Sequence, residues 1–435
     1  MLDLIYAVLV LVSVLVTVQS AHTLYLTLYT WDRPPAEAQA PDKFKPPRLS
    51  FTVMLPARHE EEVIQATIGR VAESNYPQEL IQILVICRAD DQGTIDKAEQ
   101  KINQLRQHGL RNVEMVVFHD EPINKPHGLN AALPHAAKDV LAVFDAEDDI
   151  HPDIFNVVNT VMEEEEVKVV QGGVQLMNFD SSWYSALNVL EYFFWFKSRL
   201  HYHARLGAIP LGGNTVFFDR NLIADLGGWD EHNLTEDAEI GLRLSAAGER
   251  IRVVYDSRYV TREETPPTLG HFLRQRTRWS QGFLQTLHQG SWRNLQTRRQ
   301  RFLAFYTLAF PQAQALLGLY VLFSIGTMFY FKAPVLVALI SFLPVMMLLA
   351  YFLICTVGLY EFTRAYGMKM YPRVVIGMLI AWIPYQLVIA YASMRAVGRQ
   401  MRGVSNWEKT RHVGAHRQQV AYRTESLREA GDRAA

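Results

Sequence analysis

Cysteine is almost missing from this 435-residue chain, which carries Cys87 and Cys355 and no others. The two lie far apart and have no metal-ligand spacing, so both are expected to be free, buried thiols, Cys87 in a strand and Cys355 in an apolar span. An excess of charge of either sign is missing too: 43 basic against 44 acidic residues give a formal net charge of −1. The basic residues are spread over loops and the flanks of apolar runs. Nothing therefore points to a nucleic-acid partner, and any phosphate binding must come from a local site. Internal repeats and low-complexity blocks are also lacking. What the chain has in quantity is apolar side chains, 49% of residues, at the upper edge of the globular range, on a length with room for two domain-sized units.

Where those apolar residues lie is informative. Leu2 to Tyr29 holds only Asp3 and His22 as potentially charged groups and exceeds the roughly 20 residues needed to span a bilayer. No basic region precedes it and no small-residue cleavage site follows, which favours an anchor over a cleaved signal peptide. Three further runs occupy the last third: Phe302 to Phe331, Pro334 to Tyr360 and Val374 to Val397, each long enough to span. Arg33 to Arg48, rich in Pro, Ala and Lys, reads as a linker, and its Arg33, Lys43, Lys45 and Arg48 favour a cytoplasmic position. The expected organisation is an N-terminal transmembrane helix (1–31), a linker (32–49), a cytoplasmic catalytic domain with interface helices (50–301), C-terminal transmembrane helices (302–398) and a basic tail (399–435). Arg399 to Arg417 is basic enough to be cytoplasmic. Three full crossings would place it outside, so one run must be re-entrant, interfacial or a double crossing, with Pro311 and Pro344 marking places for breaks.

Between the apolar ends, short runs alternate with helical patterns. Phe51 to Leu55, Ile81 to Ile86, Val113 to Phe118, Val140 to Phe144 and Val167 to Val170 all resemble buried strands. That alternation predicts βαβ units and a largely parallel sheet, in which ligands gather where strand C-termini open into loops. Those loops are polar here: Pro56-Ala57-Arg58-His59-Glu60-Glu61, Arg88-Ala89-Asp90-Asp91-Gln92-Gly93 and Asp145-Ala146-Glu147-Asp148-Asp149. Trp183 to Tyr202 is an aromatic helix whose density suggests a position in the membrane interface, the alternative being a core helix packed on the sheet.

Three segments carry chemistry. Asp145 and Glu147, two residues apart at a strand end, offer oxygens suited to Mg²⁺ or Mn²⁺, although an acidic solvated loop has the same composition. Thr235-Glu236-Asp237 precedes the helical pattern Ile240 to Ala247, where Thr235 suits a helix cap and the two acids suit a positive helix N-terminus; a carboxylate beside a cation site also suits a general base. Gln275-Arg276-Thr277-Arg278-Trp279 combines cations, an amide and a large ring: Arg278 can neutralise a diphosphate and Trp279 offers a face on which a sugar can stack, while a membrane anchor also fits.

In this order, the motifs resemble the processive, membrane-integrated branch of glycosyltransferase family 2, which includes cellulose, hyaluronan and bacterial exopolysaccharide synthases. The resemblance runs from Pro56 to His412. It is supported by Asn124-Lys125-Pro126-His127-Gly128-Leu129-Asn130, by Leu211-Gly212-Gly213-Asn214 and by Trp407-Glu408-Lys409-Thr410, which is similar to a tail motif of the exopolysaccharide subgroup. It implies a Rossmann-like α/β domain of the GT-A type with transmembrane helices, in the inner or plasma membrane, with the catalytic domain cytoplasmic. The implied enzyme inverts configuration, moving a sugar from a nucleotide-sugar donor, most often a UDP-sugar, to a growing polysaccharide through a β-bond. By the same resemblance Pro56, Glu60, Asp90, Asp91, Lys125, Asp145 and Arg278 line the nucleotide and donor site. Asp145 and Glu147 hold the metal, Asp237 is the base, and Gly213, Glu236, Gln275 and Trp279 border the acceptor. Membrane lipids are partners and nucleic acid is not. Two positions depart from the pattern: Glu147 stands where cellulose-type synthases carry Asp, leaving Asp148 as a rival, and His59 stands where Asn is usual. Which of Asp90 and Asp91 meets the base stays open. The rival functions are a non-processive transferase acting on a lipid or polyprenyl phosphate, against which Gln275 to Trp279 argues, and a catalytically silent nucleotide-sugar sensor.

Overall fold

Period-two alternation in the short apolar runs sorts their side chains onto opposite faces of a sheet. Phe51, Val53 and Leu55 enter one core cluster together with Ile81, Ile83 and Val85, while Met54, Leu84 and Ile86 enter another. The computed structural model describes residues 2–34, 37, 39–331, 334–408 and 414–418. Lys409, Thr410 and His412, which belong to the family-like tail, lie outside the described residues, as does 419–435.

In chain order the elements are α1 (Leu2–Asp32), β1 (Phe51–Ala57), α2 (Ile64–Ala72), β2 (Ile81–Arg88), α3 (Gln92–Gln107), β3 (Val113–Phe118), α4 (Lys125–Ala132), β4 (Val140–Val143), α5 (Ile154–Glu165), β5 (Val169–Gly172), β6 (Val174–Leu176) and α6 (Ser185–Phe194). They continue with α7 (Leu200–Leu206), β7 (Val216–Asp219), α8 (Arg220–Asp225), α9 (Glu236–Ala246), β8 (Ile251–Val254), β9 (Thr261–Glu263), α10 (Leu269–Gln289), α11 (Arg298–Phe331), α12 (Val335–Ala365) and α13 (Pro372–Met401). Seven strands form one sheet in the order β3-β2-β1-β4-β7-β5-β8. It is parallel except at β7, which runs antiparallel to both β4 and β5. The five strands expected from the sequence are β1 to β5, and β6 and β9 pair separately. Cys87 and Cys355 are both free and buried.

The two faces of the sheet are closed differently. One packs on α2, α3 and α5 through Ile68, Val71, Ile95, Ile102, Phe155 and Val158. The other continues through α6 into α12 and α13, so that Phe193, Phe194, Leu359, Phe362 and Tyr385 belong to the same core as Leu84 and Val143. Most of the aromatic segment Trp183 to Tyr202 is therefore packed inside, with Trp183 at its start exposed. It breaks into α6, a wide π-type turn (Trp195–Arg199) and α7, and its side opposite the sheet is covered by helix. Contact with α12 is close. A methyl group on Gly358 would lie 2.4 Å from the Phe194 ring, so only glycine lets the two helices meet there.

Among the described residues three helices are long and apolar enough to cross a membrane: Leu4–Asp32, Val335–Ala365 and Pro372–Met401. α11 runs antiparallel to α1, with Tyr306 hydroxyl-bonded to Thr23 and Tyr320 to Ser13. Both α11 and α12 run unbroken through Pro311 and Pro344. α12 returns to the sheet domain, where Glu361 pairs with Lys197 at 3.4 Å and Tyr366 meets Tyr255 at 3.1 Å. α13 then runs alongside α10 in the same direction: the rings of Tyr385 and Phe272 are 5.6 Å apart, Ser393 is 3.3 Å from Ser280, and Arg399 bonds Gln281 at 2.9 Å.

Both ends of α13 thus meet the sheet domain. Its outer face exposes Ile376, Leu379, Ile380, Ile383, Leu387 and Met394, while Met378, Ala381, Trp382 and Tyr385 are buried. Past it, the Gly414 N–H donates to Glu264, and Arg417 donates to the carbonyls of Val63, Glu147 and Asp148. In this arrangement α11 leaves the sheet domain, α12 returns to it, and α13 lies along it. A cysteine introduced at exposed Ser405 is accordingly expected to label from the same membrane face as one introduced at exposed Glu99. Labelling of the two from opposite faces would show that α13 crosses.

Candidate active site

The loops after β1 and β4, the start of α4, the segment before β7 and the first turn of α9 converge on one cavity of about 590 Å³. Pro56, Glu60, Lys125, Asp145, Glu147, Gly213, Glu236, Asp237, Gln275, Arg278 and Trp279 all line it. Asp90 and Asp91 do not. Asp91 is buried at the N-terminus of α3, where its carboxylate accepts from the Thr94 and His59 backbone N–H groups, while Asp90 is exposed. In their place the cavity takes Arg58, which follows β1, and Arg88, the last residue of β2. That position was the available signal for them.

The acidic turn after β4 divides its work. Asp148 is fully buried outside the cavity lining, accepting from the Asp145 N–H at 2.8 Å and from the Asn214 amide at 2.8 and 3.0 Å. Burial and the neighbouring Glu263, Asp145 and Glu147 charges push its carboxyl well above the ordinary range. Asp148 is thereby a staple for the turn, and the two carboxylates presented to the cavity are Asp145 and Glu147. Among the described residues no group of three His, Cys, Asp or Glu forms a metal cage. Two carboxylates suit a divalent ion that completes its shell with substrate phosphates and water.

Lys125, capped into α4 by Asn124, sends its ammonium to Asp145 and to the Gly213 carbonyl at 2.6 Å. Burial disfavours its charge, but Asp145, Glu236 and Asp237 outweigh that and hold the ammonium above its usual value. Gly213 lies close on the opposite side, where a methyl would sit 3.1 Å from Asp237 Oδ2 and press on that carboxylate. Asp237 Oδ1 accepts from the Ala238 N–H at 2.8 Å, which leaves Oδ2 as the oxygen facing this space. Burial raises the Asp237 carboxyl, with the Ala238 N–H, Lys125 and Arg278 opposing, and burial together with Asp237 pushes Glu236 up to about 8.

Capping does not account for this motif. Thr235 holds the N-cap position of α9, but its hydroxyl turns to Asn233 and makes no bond to the helix. α10 presses on it at Gly282, where a methyl would lie 2.4 Å from Thr235 Oγ1. α10 carries the third motif on the turns facing the cavity. Arg278 lies over the Trp407 ring at 4.2 Å. Arg276, flanked by Phe272 at 5.0 Å and Trp279 at 4.8 Å, pairs with Glu191 at 2.5 Å and bonds Asn188. Arg276, already in the Gln275 to Trp279 motif, lines the cavity too, as do Glu191, Tyr192 and Trp407, to which the sequence assigned no role. Their signal was the density of aromatics and charge in Trp183 to Tyr202 and in the tail.

A mixed α/β sheet with polar loops at its strand ends, a carboxylate pair, a buried lysine and an aromatic–cation wall defines the GT-A class of sugar-transferring folds. Residues 46–282 match the family described as Glycosyltransferase like family 2, and the chain belongs to that family. It is 27% identical over 246 residues to the probable glycosyltransferase YdaM of Bacillus subtilis, covering 54% of this chain and 55% of that one. It is 25% identical over 276 residues to the poly-beta-1,6-N-acetyl-D-glucosamine synthase of Staphylococcus epidermidis, covering 63% of each. The chain thus spans less than two thirds of the length of these curated relatives. In fold it is similar to the mannosyltransferase PcManGT from Pyrobaculum calidifontis, solved with GDP-Man and Mn²⁺, at a TM-score of 0.60 and 19% identity, over 89% of this chain and 99% of that one.

The Glu191–Arg276 pair holds the plane against which Trp279 rests. Arg276→Gln is expected to destabilise the protein by roughly 1–3 kcal/mol, because it leaves the Glu191 carboxylate without its partner. The check is thermal unfolding of detergent-purified protein, in which an unchanged midpoint would show that the pair contributes nothing.

Proposed function

We propose that this family 2 glycosyltransferase transfers a sugar from a nucleotide-sugar donor, a UDP-sugar by preference, to a growing polysaccharide, inverting the donor configuration to form a β-bond. The observation that carries this reading is the continuity of one cavity. It runs from the Asp145–Lys125 pair past Asp237 and on beyond Trp279 between α1, α11 and α12. A carboxylate with a raised pKa thus stands between a phosphate-binding end and a long acceptor path. The polymer-forming Staphylococcus relative supports the polysaccharide acceptor.

In this reading Pro56, Glu60, Arg58 and Arg88 border the nucleotide, and Lys125 and Arg278 neutralise the diphosphate. Asp145 and Glu147 would hold Mg²⁺ or Mn²⁺, which supplies further charge neutralisation to the leaving group. The acceptor hydroxyl gives its proton to Asp237 Oδ2. Its oxygen then attacks the anomeric carbon from the face opposite the diphosphate, whose bond to that carbon breaks as the new one forms. Gln275 and Trp279 border the acceptor, and the indole face packs on the apolar C–H side of a sugar ring. The catalytic domain and the tail lie on the cytoplasmic side, consistent with the basic linker Arg33 to Arg48.

Asp237→Asn is expected to abolish transfer while donor binding stays near normal, because the amide keeps the shape and takes no proton. Glu236→Gln should retain most of the activity, since burial already favours the protonated form of that side chain. Normal turnover in Asp237→Asn would overturn the base assignment. The base must be ionised to work, so its raised pKa moves the acid limb of the rate profile above the ordinary carboxylate range, and activity is lost as pH falls through that value. A limb at an ordinary carboxylate pKa would contradict it.

Trp279→Ala should damage transfer to glycan far more than donor hydrolysis, because water needs no stacking platform. The lost contact is on the order of 1 kcal/mol, and the lost alignment of the hydroxyl near Asp237 adds to it. Equal losses in both reactions on folded protein would defeat the platform assignment.

A further inference from the structure

The acidic turn after β4 is gripped by a cation that takes no part in the proposed transfer. Four carboxylates stand there within five residues: Asp145, Glu147, Asp148 and Asp149. Lys125 answers Asp145, and Arg70 pairs with Asp149 at 2.8 Å. A third cation is Arg417, whose guanidinium reaches in between α2 and the turn. Its Nη1 donates to the Val63 carbonyl at 3.2 Å. Its Nη2 donates to Thr67 Oγ1 at 2.6 Å and to the carbonyls of Glu147 and Asp148 at 3.1 and 3.2 Å. The Thr67 hydroxyl donates in turn to the Ala146 carbonyl. The three carbonyls that follow Asp145 along the chain are thereby all engaged, two directly and one through a hydroxyl.

The segment that carries Arg417 is itself seated. Arg395 and Arg399 both pair with Glu408, at 2.5 and 3.1 Å, which fixes the chain as it leaves α13. Further on, the Gly414 N–H donates to Glu264 at 3.2 Å, and the His416 ring is buried with Nδ1 3.9 Å from the same carboxylate. A planar guanidinium with several fixed donors can serve a set of carbonyls at once, where an ammonium offers a point charge. On the turn Arg417 bonds to backbone, which leaves the side chains of Asp145 and Glu147 directed at the cavity. A cation held by two protein carboxylates depends on where each one points, and the groups that orient such ligands govern affinity almost as much as the ligands do.

We propose that Arg417 is a positioning residue for this turn: by fixing the carbonyls of Ala146, Glu147 and Asp148 it presets Asp145 and Glu147 for a divalent cation. The proposal rests on the reading of that pair as the metal ligands. It makes the binding of the ion, and of the diphosphate that the ion neutralises, depend on the seating of the segment after α13.

The test uses the full chain purified in detergent, with two readings that need no turnover. The first is amide hydrogen exchange across the turn, where the Asp145 N–H donates to Asp148 Oδ2 and the Asp148 N–H to the Asp145 carbonyl. Arg417→Ala should speed exchange there roughly tenfold or more while β1 exchanges as in the parent. Unchanged exchange in the turn overturns the proposal, and so does a rise shared equally with β1, which marks a general loss of stability. The second is the affinity for Mn²⁺ in the presence of UDP, followed by the electron paramagnetic resonance of the free ion. It should fall roughly ten- to hundredfold in Arg417→Ala, and an affinity equal to the parent's also overturns the proposal. Arg417→Lys, which keeps the charge, should show both changes in smaller degree even if the alanine variant folds poorly. A parent that binds no Mn²⁺ would sink the metal reading of Asp145 and Glu147, while exchange in the turn would still decide whether Arg417 holds it.

Discussion

The ammonium of Lys125 is buried among Asp145, Glu236 and Asp237 and bonded to the Gly213 carbonyl, and the rest of the site depends on that placement. Without the lysine, three carboxylates from β4 and α9 would face one another in a poorly hydrated space, at a cost that burial alone makes large. With it, elements distant in sequence are tied at one point: the start of α4, the turn after β4, the strip before β7 and the first turn of α9. The same cation partly offsets the rise of the Asp237 carboxyl.

Around that point the structure spends small residues on closeness and large ones on rigidity. Gly213 lets the backbone approach Asp237, Gly282 lets α10 press on Thr235, and Gly358 lets α12 reach Phe194. At Gly282 and Gly358 a single methyl would forbid the contact, and at Gly213 it would crowd the carboxylate. Phe272, Arg276 and Trp279 then form a stack along α10, held from α6 by Glu191 and Asn188. Because α6 packs on both the sheet and α12, the wall of the cavity is continuous with both cores and has little freedom to move independently.

The long helices are joined to the chemistry by this packing. α13 lies against α10, and the segment after it bonds at Glu264 and behind the acidic turn through Arg417. Sheet, transfer site and apolar helices are thus one mechanical unit.

The sequence by itself determined the strand-and-helix alternation, the apolar helices and most of the site, including Pro56, Glu60, Lys125, Asp145, Glu147, Asp237 and the Gln275 to Trp279 segment. The elements follow from period-two burial and apolar length, whereas Pro56, Glu60 and Lys125 were placed by the resemblance of their motifs to family 2. Only the tertiary structure decided the rest. It turned Asp148 and Asp91 inward as staples, because each found buried donors that no spacing reveals. It withdrew Thr235 from capping by giving its hydroxyl to Asn233. It buried the aromatic helix α6 under α12 and laid α13 along α10, since an apolar face reads the same whether lipid or another helix covers it. The pairing of Arg276 with Glu191 belongs to the same class, because the environment of a charge is set by residues far away in the chain.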